Sequence, residues 1–347
     1  MQARRVSLPP YGVMSRNFLD LRARGQPRDW VVETDWAKWL NSVSRKLQAN
    51  IWPTYDFKNG SWRGVASATA TALTAEELEF MRPFRKNLRD FVDTPEKCFI
   101  RHEFLRDAED LRIGGRLDLY SQTVATAFGQ YLSNGSSEDW FDGIIDANYG
   151  STIVELKARF QRPRPYQCAT ILKCDDFSQE LSRSFITPSL PSGHCFEATM
   201  ALLELYKRLL EAPATNQRTS SGPIELYAAH ISDRRVMAGL HFPTDNIASW
   251  YLAYSMCKTM YPQQPLLVDF IRGTVRQSLL YQGLEMLSPR ASPKLSKIFE
   301  WACRELRLKP TAEKKIEARQ MPAAIGEGVR KKRVRAPKPR VSNVRHS

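Results

Sequence analysis

Apolar residues recur at helical spacing along most of this chain, and period-two alternation is scarce. Trp36, Trp39, Leu40 and Val43 share one face of a segment over residues 34–49. Phe196, Met200, Leu203, Tyr206 and Leu210 repeat the pattern over 193–210. Further helices are predicted over 115–132, 139–160, 223–238, 244–260 and 292–306. Thr74 and Glu77 have the spacing of a capping box, and Thr94-Pro95 that of a cap followed by a first-turn proline. The RPRP run at 162–165 reads as a basic turn whose prolines stop a helix. Loops are therefore expected over 162–191 and over 212–222. The expected fold class is all-α, a helical bundle without internal repeats.

Composition narrows the surroundings. A chain of 347 residues with 42% hydrophobic content buries a substantial core. The expected organisation is an irregular segment over 1–33, one helical domain over 34–310 and a tail over 311–347. A membrane-spanning helix needs about 20 mainly apolar residues, and the most apolar stretches, 201–210 and 247–256, are short or interrupted by charge. Mean hydropathy is −0.43. The first residues are charged but lead into no continuous apolar run, so a cytoplasmic location is expected. The six cysteines lack CxxC or zinc-ligand spacing and read as a reduced structural set. Cys168 and Cys174 are the pair that an oxidising compartment would join.

Net charge is +14, and residues 330–347 carry eight Lys or Arg without an acid, which leaves about +6 for the rest. Such a tail is too polar to fold alone. It suits anionic lipid headgroups or nucleic-acid phosphates, although no aromatic residue is interleaved to stack on bases.

Three blocks carry the candidate chemistry. Lys157 and Arg164 are spaced Lys-x6-Arg-Pro, Ser192, Gly193 and His194 follow Pro191, and Arg235 precedes His241 as Arg-x5-His. Guanidinium forks match phosphate oxygens and an ammonium adds a point charge, so Lys157, Arg164 and Arg235 together suit a dianion. The helical pattern after His194 puts Ser192 and Gly193 at a helix N-terminus, where backbone amides and the helix dipole favour an anion. Gly193 permits close backbone approach, and Ser192 adds a hydroxyl donor. Each block alone reads as a turn or a solvated basic face; the ordered set does not. His102 and His230 have no such company and read as structural histidines, and His346 lies in the tail.

Together the blocks resemble the superfamily of type 2 phosphatidic acid phosphatases, bacterial class A acid phosphatases and vanadium-dependent haloperoxidases, over residues 153–253. The resemblance implies a helical bundle of that type, with His241 as the nucleophile that forms a phosphohistidine. It makes His194 the acid that protonates the leaving oxygen, and Asp245 the acceptor that orients His241. No metal or cofactor is implied for a phosphatase, and the substrate would be a phosphorylated small molecule or lipid headgroup. The alternative implied activity is a haloperoxidase, with vanadate as cofactor and His241 as its ligand. Two departures stand out. Arg234 replaces the serine that the family carries before the third-block arginine, and the spacing to His241 selects Arg235 of the two adjacent arginines. Val154 and Thr187 occupy places where haloperoxidases tend to carry aromatic residues, which favours the phosphatase.

Overall fold

The computed structural model describes residues 33–48, 54–56, 61–63, 67–90, 150–172, 174, 177, 187–211 and 221–308. All of them lie in one compact unit, Met1–Leu308. The expectations for 1–32, Thr94-Pro95, 115–132, 139–149, 212–220 and the basic tail fall outside them, as do Cys98, His102 and His346.

The described chain is helical apart from one antiparallel hairpin. Helix α1 spans Glu33–Gln48. Strands β1 (Thr54–Asp56) and β2 (Ser61–Arg63) pair with Tyr55 opposite Trp62. Then follow α2 (Ser67–Asp90), α3 (Gly150–Phe160), α4 (Pro165–Leu172), α5 (Gly193–Glu211) and α6 (Gly222–Met237). The chain continues with α7 (Pro243–Met260), α8 (Pro265–Gln277), α9 (Leu279–Glu285) and α10 (Pro293–Glu305).

Helices α5 to α8 pack on one another as the centre, with α10 and α1 against α7 and α2 against α10 and α6. The sequence dictates these roles. Along α7 every residue from Pro243 to Tyr254 is buried, so this helix runs through the core. Helix α8 buries Leu267, Phe270, Ile271, Thr274 and Val275, and α10 buries Leu295, Ile298, Trp301 and Ala302, each a single stripe facing inward. Each fully buried Leu, Ile or Phe contributes roughly 1.5–3 kcal/mol. Polar ties then fix the layers. Trp39 Nε1 donates to Ser255 Oγ at 3.1 Å, joining α1 to α7. Glu76 Oε2 accepts the amides of Lys294 (2.9 Å) and Leu295 (2.8 Å), capping α10 from α2.

Two elements differ from expectation. Thr74 and Glu77 do not start a helix: α2 begins seven residues earlier, and both side chains are fully buried on its inner face. The alanine-rich run before Thr74 propagates the helix through it. The interval 162–191 is not all loop, because Pro165 opens α4 instead of only ending α3. Gln167 Oε1 caps that start by accepting from the Arg164 amide at 2.8 Å. The five described cysteines are all free thiols.

Asp233 ties α6 to the α8–α9 junction, accepting from Ser278 Oγ at 2.5 Å and from the Leu279 amide at 2.7 Å. Burial raises its carboxyl to about 7. The folded state therefore holds a proton that the unfolded chain releases near pH 4. Stability from this group is present at low pH and declines as pH rises towards 7, by up to about 1.4 kcal/mol per pH unit. Urea unfolding between pH 4 and 7 is expected to show that decline in the wild type and to lose it in Asp233→Asn.

Candidate active site

Local structure explains how the three blocks meet. Lys157 sits in the last turn of α3, and Gln161, with φ 46°, ends that helix in the left-handed region. The turn sends residues 161–164 across the bundle as an extended connector. Ser189 holds this connector through its amide to Arg162 O (2.8 Å) and its hydroxyl to Pro163 O (3.0 Å). The Ser192 amide donates to Asp245 O (3.3 Å), and Ser249 Oγ donates to Ser192 O (2.7 Å), which binds the second block to α7. The third block is a helix end. Arg235 lies in the last turn of α6, Gly239 (φ 75°) stops it, and the Leu240 and His241 amides return to Arg235 O at 2.9 and 3.2 Å. Only a residue tolerant of positive φ makes that reversal cheaply. Helix α7 then starts at Pro243, with Asp245 at its third position accepting from the Phe242 amide at 2.9 Å.

Every one of the eight predicted site residues except Gly193 is buried. Arg164 holds the blocks together: Nε donates to Thr187 O (2.8 Å), Nη2 to Thr187 Oγ1 (2.9 Å) and Nη1 to Leu240 O (2.7 Å). Its Nη1 also lies 2.9 Å from His241 Nε2, and His241 Nδ1 lies 3.3 Å from Asp245 Oδ2. A guanidinium only donates and a carboxylate only accepts, so the partners assign the proton to Nδ1 and the lone pair to Nε2. Burial and then Arg164 push His241 well below its usual range, against the pull of Asp245. The ring is therefore neutral. Burial also pushes Asp245 upward, but Arg162 and His241 outweigh it and hold the carboxyl below the usual range.

Lys157 Nζ donates to Pro188 O. Burial, followed by the neighbouring Arg164, pushes its ammonium well below the usual lysine range, while Asp245 and Glu197 act the other way. An arriving dianion would reverse that balance. Ser192 Oγ is fully buried without a hydrogen-bond partner. His194 lies in the first turn of α5. Arg235 is fully buried, whereas Arg234 is half-buried, and Arg235 acts electrostatically on Lys157. By contrast Arg159 is exposed and paired with Glu155 at 3.0 Å. The donor set of Lys157, Arg164, Arg235 and the orphaned Ser192 hydroxyl fits a tetrahedral oxyanion, phosphate or vanadate alike. Among the described residues no cluster of three His, Cys, Asp or Glu is placed to hold a metal ion.

Sequence reasoning missed Arg162, Glu77, Thr244 and the role of Thr187. Arg162 was visible only as part of the RPRP run; Glu77 lies far away in sequence and gave no signal. Residues 143–268 match the model of the PAP2 superfamily. The chain carries a PAP2 superfamily domain. The match runs from before α3 into α8 and holds all three blocks, while α1, α2, α9 and α10 lie outside it. No curated protein matches the chain. At the level of the family, the match supports phosphatase-type activity, and no helix among the described residues is long and apolar enough to cross a membrane.

At Gly193 a Cβ would meet Glu197 Oε1 and Ile153 Cγ2 at 3.6 Å, ordinary contact distances. Nothing in the fold itself demands glycine there. Gly193→Ala is thus expected to melt no lower than the wild type but to bind phosphate or vanadate on the order of tenfold more weakly, because the methyl crowds an oxygen approaching the helix N-terminus. Calorimetry and vanadate titration check both halves; unchanged affinity would remove Gly193 from the cradle.

Proposed function

We propose that this protein is a metal-independent phosphatase that hydrolyses a phosphomonoester or pyrophosphate through a phosphohistidine at His241. The supporting observation is the hydrogen-bond pair on one ring, Nδ1 toward Asp245 and Nε2 toward Arg164, in a pocket of buried cations. A neutral imidazole with its lone pair aimed at a phosphate cradle is a nucleophile ready for phosphorus. In the first step Nε2 bonds to phosphorus as the ester P–O bond breaks, and His194 protonates the departing oxygen. In the second, His194 takes a proton from water, the hydroxyl oxygen bonds to phosphorus, and the P–N bond breaks to release phosphate. Lys157, Arg164, Arg235 and the Ser192 hydroxyl meet the charge that builds on the equatorial oxygens. The substrate is a phosphorylated small molecule or a lipid headgroup, and the basic tail suits an anionic surface that presents the latter.

Thr187 supports a phosphatase over a haloperoxidase, because its hydroxyl holds Arg164 where an aromatic side chain would not. Purified protein is expected to hydrolyse p-nitrophenyl phosphate in excess EDTA, with vanadate as a competitive inhibitor. Bromide oxidation by peroxide after vanadate loading, with negligible phosphatase turnover before it, would overturn this reading.

A further inference from the structure

Glu77 stands on α2, outside the segment matched to the family, and its carboxylate is fully buried. A buried carboxylate survives only where donors hold it. Three do: Arg162 Nη2 at Oε2, and the Thr244 hydroxyl and amide at Oε1, the amide at 3.1 Å. Both oxygens accept from donors alone, the pattern of an ionised group. Arg162 is fully buried too and divides its fork. Nη2 goes to Glu77, while Nη1 reaches Asp245 Oδ1 and Thr244 Oγ1, each at 2.7 Å. The Phe242 ring, 4.0 Å from the guanidinium carbon, fixes the plane of that fork. The result is a buried row of Glu77, Arg162, Asp245 and His241.

We propose that Glu77 and Arg162 are positioning residues that set the tautomer and basicity of His241 through Asp245, with Glu77 balancing the charge of Arg162. The proposal deepens the reading of His241 as nucleophile and rests on it. Arg162 anchors Oδ1 of Asp245 and so aims Oδ2 at His241 Nδ1 and the Phe242 amide. A lone cation in that position would also draw on the carboxylate's charge and weaken its hold on the ring proton. Glu77 prevents this. The row of two carboxylates and one guanidinium keeps a net negative charge next to His241, and in a buried setting such a charge is felt strongly. The Thr244 hydroxyl couples the two ends by donating to Glu77 and accepting from Arg162. The charges acting on the ring from other elements are Lys157 of α3 and Arg164 of the connector, and Arg235 of α6 acts in turn on Lys157. The hydrogen bonds at Glu77 come from Arg162 and Thr244, so Glu77→Gln acts on the row from that end.

The test labels the ring nitrogens of the five histidines with 15N in the full chain and assigns His241 by its disappearance in His241→Ala. The wild type is expected to show His241 protonated at Nδ1 with a strongly downfield proton. In Glu77→Gln that proton should move upfield and the tautomers mix. With p-nitrophenyl phosphate the same variant should lose on the order of 10- to 100-fold in kcat, as mutation of an outer partner of a functional histidine typically does. Its inhibition constant for inorganic phosphate should not change, which a merely structural defect would not spare. Glu77→Gln/Arg162→Met removes the anchor on Asp245 Oδ1 along with both charges, so its tautomers should also mix and the lost kcat should not return. An unchanged His241 spectrum in Glu77→Gln overturns the proposal whatever the turnover. Should Glu77→Gln not fold, a wild-type tautomer in the folded double variant overturns it instead. A wild type that turns over no phosphate ester but shows the Glu77-dependent spectrum would refute the phosphatase and leave the charge row standing.

Discussion

His241→Ala is expected to lose roughly 10⁴-fold or more in turnover, the scale on which loss of a nucleophile acts. The geometry of the ring suits the proposed role. Its Nδ1 proton is committed to Asp245 at 3.3 Å, and Nε2 faces the Arg164 guanidinium at 2.9 Å, inside the group of buried cations. Burial and Arg164 keep it neutral, so it needs no prior deprotonation at neutral pH. Alanine leaves Asp245 with its partners Arg162 and the Phe242 amide, at 2.7 and 2.9 Å, so the network survives the change. Circular dichroism should therefore be native while steady-state hydrolysis vanishes. His194→Ala should differ in kind. Esters with good leaving groups depend less on protonation and should retain more activity than alkyl phosphates.

Arg164→Ala is the second large effect, on the order of 10³-fold in kcat/KM, or about 4 kcal/mol of transition-state stabilisation. This side chain meets the His241 ring and also joins the connector to Thr187 and Leu240. Removing it costs both charge and register. Arg235→Ala, deleting a fully buried cation at the end of α6, should lose several kcal/mol by the same mechanism. Arg234→Ala should cost far less, because that side chain is only half-buried. Measuring kcat/KM for the two adjacent variants decides the register; a larger loss at Arg234 would show that it, not Arg235, meets the phosphoryl group.

The three blocks were legible because each is a local device. A helix end, a left-handed glycine and a proline-started helix place Arg235, Gly239, His241 and Asp245 within eleven consecutive residues, and turn chemistry of that range is written in neighbouring residues. Helices α5, α6, α7 and α10 were visible for the same reason, since their apolar stripes or caps are local. What supports the site was not legible. Glu77 meets Thr244 across 167 positions and Arg162 across 85, and no periodicity reports a pairing that exists only after packing. The spacing of Thr74 and Glu77 even suggested a helix start, when both side chains point into the core from the middle of α2. Arg162 was hidden by its neighbours: RPRP reads as a surface turn, and only burial between two carboxylates separates its role from that of Arg164. Helix α4 was missed because a proline that ends one helix was not also read as the start of the next.

The central claim is covalent chemistry at one nitrogen. The measurement that tests it most directly is rapid acid-free denaturing quench of the wild-type protein during turnover of a phosphoryl-labelled substrate, followed by peptide mass spectrometry. A phosphohistidine is labile to acid and stable to base, so the quench is alkaline. The account predicts label on the peptide containing His241, formed within one turnover, chased by unlabelled substrate and absent from His241→Ala. Steady turnover with no labelled protein at any quench time, or label on a different residue, would contradict it.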